Sequence, residues 1–242
     1  MRYAVFGDIH ANLEALRSVL DAIERLDVDR LICLGDIVGY NADPEACVDL
    51  LRESDFFSIV RGNHDDMAGR DVGESGINPL AAVSLDWTRR RLRPDQKEWL
   101  ISLPLVQRID DDITICHASL DNPGRWPYLI AADEAVSTLE KLDTRVCFYG
   151  HVHKPRFFSD HPGFSDGGFT ELDLEPGIRY LINVGSVGQP RDGDPRAAFA
   201  VYDQEAGRAV LHRVRYDIEA TRRKILDAGL PRRLAERLSV GR

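Results

Sequence analysis

Short apolar runs alternate with helix-like patterns over the first sixty residues of the chain. The runs at residues 2–6, 30–34 and 57–60 are each followed within two residues by a glycine. The intervening stretches 12–26 and 44–52 place apolar residues three or four positions apart, which predicts an amphipathic helix in each. Because a strand that is apolar at successive positions is buried on both faces, this β-α-β-α-β order predicts a parallel sheet covered by helices.

The next part of the chain continues the alternation and adds a helical insertion. The apolar pattern over residues 78–103 predicts two helices separated at Pro94. We expect these helices to form a small cap inserted at the edge of the sheet. Two further strands are predicted at 113–116 and 146–149, with a helix at 133–142 between them. The pattern therefore predicts the α/β fold class.

After Gly150 the pattern changes to short strands separated by Gly and Asp turns, which is typical of antiparallel pairing. The tail at about 217–240 is predicted to be helical, and its basic residues fit a solvated helix face. No repeat or linker interrupts the pattern, so we expect one domain over residues 1–242. The predicted antiparallel segments are 156–158, 169–174, 180–184, 197–203 and 208–214, and the basic residues of the tail are Arg232, Arg233, Arg237 and Arg242.

Composition is that of an ordinary globular protein, since 43% of the 242 residues are hydrophobic and 29% are charged. No apolar run approaches the roughly 20 residues that span a bilayer, and the N-terminus lacks a basic-then-apolar signal pattern. We therefore expect a cytoplasmic protein without a membrane partner, of undetermined oligomeric state. A net charge of −9 argues against a nucleic-acid surface. Four scattered cysteines predict buried, reduced thiols: Cys33, Cys47, Cys116 and Cys147.

Side chains of the types that can bind metal ions follow five of the predicted strands. Five of the seven histidines stand in these positions, whereas His161 and His212 do not. Ligands of an open α/β sheet bind beyond the carboxyl ends of the strands, so we expect these side chains to converge. Taken singly, Asp8 also suits a turn before the helix cap Asn12, and Asn63 also suits a turn. The candidate side chains are Asp8, His10, Asp36, Asn63, His64, His117, His151 and His153.

The mixture of imidazole, carboxylate and amide donors favours first-row divalent ions. Seven candidate ligands, the set without His64, are too many for one ion with an open position, but they suit two ions that share a bridging carboxylate. Two such ions can hold a hydroxide between them and bind the oxygens of a phosphoryl group. Because Asp8 and Asp36 are the charged ligands, two divalent ions leave a charge of about +2, which attracts anions. We expect two divalent transition-metal ions, with Mn first and Fe, Zn, Co or Ni as alternatives.

Five short sequence blocks occur in the order GDIH, GDIVGY, GNHD, ICHAS and GHVH. Their combination resembles the calcineurin-like metallophosphoesterases, and the resemblance extends from Ala4 to Ser186. It is closest to the small bacterial members grouped with diadenosine tetraphosphatases and related phosphatases. The resemblance implies an αββα sandwich, in which two facing mixed β-sheets are flanked by helices, with the small helical cap as an insertion.

The resemblance also implies a role for each candidate residue. The first ion would be bound by Asp8, His10 and His153, the second by Asn63, His117 and His151, and Asp36 would bridge the two. His64 would not bind a metal ion and would protonate the leaving oxygen or stabilise the transition state. The alternative is that His64 is a buried, hydrogen-bonded residue without a catalytic role. Asp65 would orient the His64 imidazole and raise its pKa.

Four further residues are candidates for substrate binding. Arg61 and Arg191 would each bind a phosphate through the planar guanidinium. For both residues the alternative is an ion pair with a nearby acid. Asn41 and Arg125 are the other two candidates. Protein phosphatases of this superfamily carry an arginine shortly after the aspartate of the second block, whereas residues 37–41 here contain none. This departure argues against phosphoprotein substrates.

Together these features predict a dinuclear metal-dependent phosphoesterase in which a metal-bridging hydroxide attacks phosphorus. The expected substrates are small phosphorylated molecules, namely nucleotides, dinucleoside polyphosphates, phosphodiesters or monoesters. One alternative is a serine/threonine phosphoprotein phosphatase. Another is a non-catalytic binding or scaffold module on the same fold, although such modules tend to lose ligands that this chain retains.

Overall fold

The fold consists of two β-sheets with helices packed on their outer faces. The computed structural model describes residues 1–53, 57–70 and 77–242, which contain twelve strands and eight α-helices. The strands are β1 (Arg2–Phe6), β2 (Arg30–Cys33), β3 (Phe57–Ile59), β4 (Val106–Arg108), β5 (Ile113–Cys116), β6 (Val146–Tyr149), β7 (Arg156–Ser159), β8 (Ser165–Gly167), β9 (Glu171–Asp173), β10 (Tyr180–Asn183), β11 (Ala197–Asp203) and β12 (Arg208–Val214). The helices are α1 (Leu13–Ile23), α2 (Pro44–Arg52), α3 (Asn63–Gly69), α4 (Pro79–Arg91), α5 (Pro94–Ser102), α6 (Ala132–Lys141), α7 (Ile218–Asp227) and α8 (Arg232–Leu238).

Both sheets contain six strands, and both mix parallel with antiparallel pairs. The first sheet has the order β3-β2-β1-β11-β12-β9, and the second has the order β4-β5-β6-β10-β7-β8. As predicted, β1, β2 and β3 run parallel, and β11 pairs with β1 in the antiparallel direction. In the second sheet β5, β6 and β10 run parallel. The expectation of two facing mixed sheets flanked by helices is confirmed.

The space between the two sheets is filled by apolar side chains from both. Val5 of β1 belongs to the same buried cluster as Phe148 of β6 and Ile182 of β10. Its neighbour Phe6 belongs to a different buried cluster, which includes Leu16 of α1. Because successive side chains of a strand point to opposite faces, β1 is buried on both faces. This double burial explains why the sequence of β1 is apolar without alternation.

The helical insertion packs against α3. The sequence pattern predicted α4 and α5 with the break near Pro94, but it missed α3 and the short strands β4 and β8. Both α4 and α5 pack against α3, and Leu85 and Leu100 join the buried cluster beneath α1. The insertion therefore supports the helix that carries the third sequence block. Among the helices of the described ranges, none combines the length and the apolar character that a membrane crossing requires.

The C-terminal tail is fixed to α1 and α2 by buried and partly buried polar contacts. The Thr221 hydroxyl of α7 lies 3.1 Å from the Asn12 side-chain oxygen, which also caps α1. The Lys224 ammonium donates to Glu14 at 2.6 Å and to Asp43 at 2.8 Å. These contacts place α8, the helix that follows α7, close to the loops at the ends of β1 and β2.

Candidate metal centre

Four strands of the two sheets deliver candidate ligands to a common edge. Asp8 follows β1, Asp36 follows β2, His117 follows β5 and His151 follows β6. The backbone N–H of Asp8 donates to the carbonyl of Gly35 at 2.9 Å, which joins the first two strand ends. The ends of parallel strands meet at one edge of a sheet, and here the edges of two facing sheets meet each other. The convergence expected from the sequence is therefore present in the fold.

Five of the seven candidate ligands have a left-handed backbone conformation. Residues other than glycine rarely adopt this conformation, which costs about 1–3 kcal/mol per residue and occurs most often at functional sites. The φ angles are +50° at Asp8, +49° at His10, +51° at Asp36, +70° at His151 and +57° at His153. The fold thus maintains a strained backbone at the positions that carry the donor atoms.

The first group of donors comprises Asp8, His10, Asp36 and His153, whose donor atoms all lie within 4.8 Å of one another. The Nε2 atoms of His10 and His153 are 3.0 Å apart. His153 Nε2 lies 3.2 Å from Asp8 Oδ1, and His10 Nε2 lies 3.6 Å from Asp36 Oδ2. Four donors that close together can all reach a single ion.

The second group of donors comprises Asp36, His117 and His151 and also lies within 4.8 Å. His117 Nε2 is 3.4 Å from Asp36 Oδ2 and 3.2 Å from Asn63 Oδ1, so the Asn63 amide oxygen adjoins this group. Asp36 belongs to both groups. A carboxylate that two donor groups share is in the position of a bridging ligand.

Backbone carbonyls fix the orientation of the four histidine rings. The bonds are from His10 Nδ1 to Val38 (3.1 Å), from His117 Nδ1 to Leu34 (2.7 Å), from His151 Nε2 to Trp126 (3.1 Å) and from His153 Nδ1 to Gln189 (2.7 Å). Because a carbonyl oxygen only accepts, the proton of the neutral ring lies on the bonded nitrogen, and the other nitrogen keeps a lone pair. Metal-binding histidines are oriented in the same way.

In the first donor group, buried carboxylates lie beside two imidazole nitrogens whose lone pairs face each other. Asp8 and Asp36 are 0% and 1% exposed. Burial holds the pKa of His10 well below its ordinary value and lowers the pKa of His153, so both rings stay in the neutral form that binds metal. Buried carboxylates beside facing lone pairs are unfavourable unless a positive charge lies between them. The donor set therefore fits a divalent cation.

Asp36 carries its charge at the point where the two donor groups meet. Burial opposes its ionisation, but His117 and His64 outweigh burial and hold the pKa of Asp36 well below its ordinary value. Burial likewise lowers the pKa of His117, but the Asp36 carboxylate outweighs it and raises the pKa of His117 to about 10. A proton on His117 thus supplies the positive charge that Asp36 requires, and a cation held by both side chains supplies the same charge.

Comparison with known proteins identifies the family of this donor arrangement. Residues 1–207 match the family model described as the calcineurin-like phosphoesterase superfamily domain, and this range includes all the candidate ligands. The chain belongs to the calcineurin-like phosphoesterase superfamily. The resemblance of the five sequence blocks is thereby confirmed, and family membership implies a phosphoester hydrolase.

Relatives of known sequence or structure cover almost the whole of this chain. An uncharacterized protein of Methanocaldococcus jannaschii is 37% identical over 245 residues, which cover 99% of this chain and 98% of that protein. A metallophosphoesterase from Sphaerobacter thermophilus has a similar crystal structure, with a TM-score of 0.89, 39% identity and coverage of 100% of this chain and 99% of that chain. A hypothetical protein from Pyrococcus horikoshii, with a TM-score of 0.82, 21% identity and coverage of 100% and 98%, shows the same fold.

His64 lies next to the donor groups and belongs to neither. Its ring centroid is 4.8 Å from that of His10 and 4.6 Å from that of Tyr40. Its Nδ1 atom is buried and has no hydrogen-bond partner among the described residues. Gly39 closes the pocket around this atom, because a Cβ at Gly39 would lie 2.3 Å from His64 Nδ1. The ring is thus held by packing, with few polar contacts.

Asp65 does not orient His64 as the sequence suggested. Its Oδ1 accepts hydrogen bonds from the backbone N–H groups of Ile37 (2.8 Å) and Val38 (3.3 Å), and its Oδ2 accepts from Gly62 (2.9 Å). The expected rise in the pKa of His64 is also wrong, since burial lowers that pKa to about 4. Asp65 instead ties the loop of the second sequence block to that of the third. Burial, followed by the nearby charge of Asp36, raises the pKa of Asp65 to about 7.

Two of the three arginines that were expected to bind substrate, Arg61 and Arg191, have different surroundings. Arg191 lies beside the first donor group, since its backbone N–H donates to the carbonyl of His153 at 3.2 Å. Its guanidinium donates to Gln189 Oε1 at 2.8 Å. Arg61 is 8% exposed, and its Nε lies 3.2 Å from Asp66 Oδ1. Arg61 therefore forms the ion pair that was its alternative, whereas Arg191 keeps a guanidinium near the centre.

The other two candidates, Asn41 and Arg125, differ in burial. Asn41 is buried, and its side-chain amide donates to the carbonyl of His10 at 2.7 Å, so it supports the loop that carries this ligand. Arg125 is exposed on the loop after β5, and it lines an open cavity together with Tyr128. Arg125 directly precedes Trp126, whose carbonyl contacts His151 Nε2 of the second donor group.

Sequence reasoning missed three aromatic residues that surround the histidines. The Tyr40 ring lies 4.7 Å from His10, and the Tyr128 ring stacks on His151 at 4.0 Å. The Trp126 ring lies 5.8 Å from His117. Tyr40 is part of the GDIVGY block and could have been inferred from it, whereas no sequence block marks the loop that carries the other two.

Replacement of Asp36 by Asn tests the shared donor. We expect Asp36→Asn protein, after manganese loading and gel filtration, to retain no more than about one ion per chain, because a neutral amide is a poorer ligand for two cations than a carboxylate. Plasma mass spectrometry measures the metal content. The variant His161→Asn, which changes an exposed histidine outside both groups, should keep the wild-type content. Equal metal content in Asp36→Asn and wild type would contradict the shared position.

Replacement of Asp65 by Asn tests its role in joining two loops. The amide retains one acceptor oxygen and presents an N–H₂ to at least one backbone donor, so we expect the free energy of unfolding to fall by about 2 kcal/mol. Urea denaturation followed by circular dichroism measures this change. The control variant Asp21→Asn alters an exposed acid of α1, away from these loops, and we expect a smaller loss. An unfolding free energy of Asp65→Asn equal to that of wild type would show that the loops do not depend on Asp65.

Proposed function

We propose that this chain is a dinuclear metal-dependent phosphoesterase that hydrolyses small phosphorylated substrates. The observation that carries the proposal is the sharing of the buried Asp36 carboxylate by two groups of oriented donors. Asp8, His10 and His153 would hold one ion with Asp36, and Asn63, His117 and His151 would hold the other. We propose Mn²⁺ for both positions, with Fe, Zn, Co or Ni as alternatives that the same donors accept.

Divalent cations bound there would supply positive charge for the phosphoryl oxygens and lower the pKa of water, so that a hydroxide is available near neutral pH. The residues of the chain contribute orientation. The carbonyl-bonded histidines and the left-handed backbone hold the donors in place, and Arg191 would bind a phosphoryl oxygen through its planar guanidinium. Preorganised charge of this kind lowers the barrier because little rearrangement is needed during the reaction.

We assign His64 to the leaving oxygen. Its Nδ1 is buried against Gly39, so Nε2 is the nitrogen available to donate a proton or a hydrogen bond to that oxygen. Asp65 would act indirectly, because it fixes the loops on both sides of His64. Asp65 is therefore proposed as a positioning residue and His64 as the catalytic one.

The substrates proposed are nucleotides, dinucleoside polyphosphates, phosphodiesters and monoesters. Phosphoproteins are disfavoured because Ile37 and Val38, in the loop where the protein phosphatases carry an arginine, are both fully buried. A scaffold function is disfavoured because two complete donor groups and an adjacent histidine would serve no purpose in it.

Replacement of His64 by Ala separates catalysis from metal binding. We expect His64→Ala to lower kcat about 100-fold or more on the best substrate of a panel of nucleotides, dinucleotides, diesters and monoesters. Its manganese content should stay near that of wild type, because His64 belongs to neither donor group. The control His161→Ala should leave kcat unchanged. Loss of metal from His64→Ala would refute the role of His64, and a wild-type protein that cleaves no ester of the panel would refute the proposed function.

A further inference from the structure

The ring of Tyr40 lies among three residues of the candidate centre. Its centroid is 4.7 Å from that of His10 and 4.6 Å from that of His64. The guanidinium carbon of Arg191 lies 5.7 Å from the centre of the Tyr40 ring. Tyr40 is 8% exposed and belongs to a buried apolar cluster, so its ring is held in one position by packing.

The backbone of Tyr40 fixes the direction in which the side chain leaves the loop. Its φ angle is +62°, in the left-handed region that bulky residues rarely adopt. The Tyr40 backbone N–H donates to Ser84 Oγ of α4 at 3.1 Å, so the helical insertion supports this conformation. Strained backbone of this kind occurs most often at functional sites.

The C-terminal helix adds a contact to the ring that was not expected. The basic tail was predicted to form a solvated helix face, and Arg232 and Arg233 are indeed exposed, but Arg237 is partly buried. The guanidinium carbon of Arg237 lies 5.9 Å from the centre of the Tyr40 ring, and Leu234 of the same helix joins its buried cluster. The expectation of a solvated tail is therefore wrong for Arg237.

The hydroxyl of Tyr40 has no hydrogen-bond partner among the described residues. Tyrosine hydroxyls usually find a partner when the ring is buried, as Tyr202 does by donating to Asp112 at 2.7 Å. The Tyr40 hydroxyl is not enclosed by the protein, so a ligand can reach it. A held ring with an accessible, unpaired hydroxyl indicates a ligand that forms the missing hydrogen bond.

Charges of the candidate centre act on this hydroxyl. Burial raises the pKa of Tyr40, Arg191 opposes this rise, and the Asp36 carboxylate adds to it. A second unpaired donor lies nearby, because Gln189 accepts from the Arg191 guanidinium at 2.8 Å and its own buried Nε2 has no partner among the described residues. The carbonyl of Gln189 is bonded to His153, so these donors lie on the side of the first donor group.

We propose that the Tyr40 hydroxyl donates a hydrogen bond to a phosphoryl oxygen of the bound substrate, on the side of the first donor group. A phosphoryl group presents several oxygens, so the hydroxyl and the Arg191 guanidinium bind different oxygens of the same group. His64, on the other side of the Tyr40 ring contacts, remains the residue that acts on the leaving oxygen. Tyr40 thereby becomes a substrate-binding residue, an assignment that rests on the proposed phosphoesterase function.

Removal of the hydroxyl alone tests this assignment, because Tyr40→Phe keeps the ring. Inorganic phosphate is titrated calorimetrically into manganese-loaded wild-type and variant protein at the same excess of free Mn²⁺, so that no turnover is needed. We expect Tyr40→Phe to weaken phosphate binding about tenfold, because a hydrogen bond to a charged acceptor is lost. Its manganese content and its midpoint of thermal unfolding should equal those of wild type, since the hydroxyl belongs to neither donor group and bonds to no described residue.

The control is Tyr180→Phe, which removes a hydroxyl that accepts from the backbone N–H of Glu175 at 3.0 Å. Tyr180 begins β10, so we expect this variant to lower the midpoint of thermal unfolding and to leave phosphate affinity unchanged. Phosphate affinity of Tyr40→Phe equal to that of wild type, loss of manganese from Tyr40→Phe, or a wild-type protein that does not bind phosphate would overturn the assignment. The proposed function fails separately, if wild-type protein binds phosphate but cleaves no ester of the panel.

Discussion

The buried carboxylate of Asp36 is the constraint on which the rest of this structure depends. It lies where two groups of nitrogen and oxygen donors meet, and its negative charge is removed from water. A buried charge without a partner is strongly unfavourable, so the site requires compensating positive charge. A proton on His117 can provide that charge within the protein, and the donor set also fits a divalent cation.

Much of the surrounding structure holds these donors in place. The Asp65 carboxylate ties the backbone that follows Asp36 to Gly62, and no room exists for a larger residue there, because a Cβ at Gly62 would lie 2.1 Å from Asp36 Oδ1. Carbonyl groups from separate loops fix the histidine rings. Left-handed backbone at five ligand positions adds strain, which the packed sheets on both sides balance. The result is a rigid site built at the junction of two sheets.

The sheets, most helices and the convergence of the candidate donors were predictable from the sequence, because these depend on local patterns and on blocks at strand ends. The continuously apolar β1 indicated a doubly buried strand, and the GHVH block indicated a ligand pair. The hydrogen bonds of Asp65, the ion pair of Arg61 and the partial burial of Arg237 were not predictable in this way. Each is determined by what another part of the chain brings near it, namely the loop at Ile37, the carboxylate of Asp66, and the ring of Tyr40. The spacing of residues along the sequence does not show which distant residues come into contact in the fold.

The proposed chemistry needs a pair of cations that share Asp36. A crystal structure of the manganese-loaded protein, with anomalous scattering measured at the manganese edge, tests this most directly. We predict two anomalous peaks about 3.5–4 Å apart, with one Asp36 oxygen in contact with both. A single peak, or a pair of peaks that Asp36 does not bridge, would contradict the account.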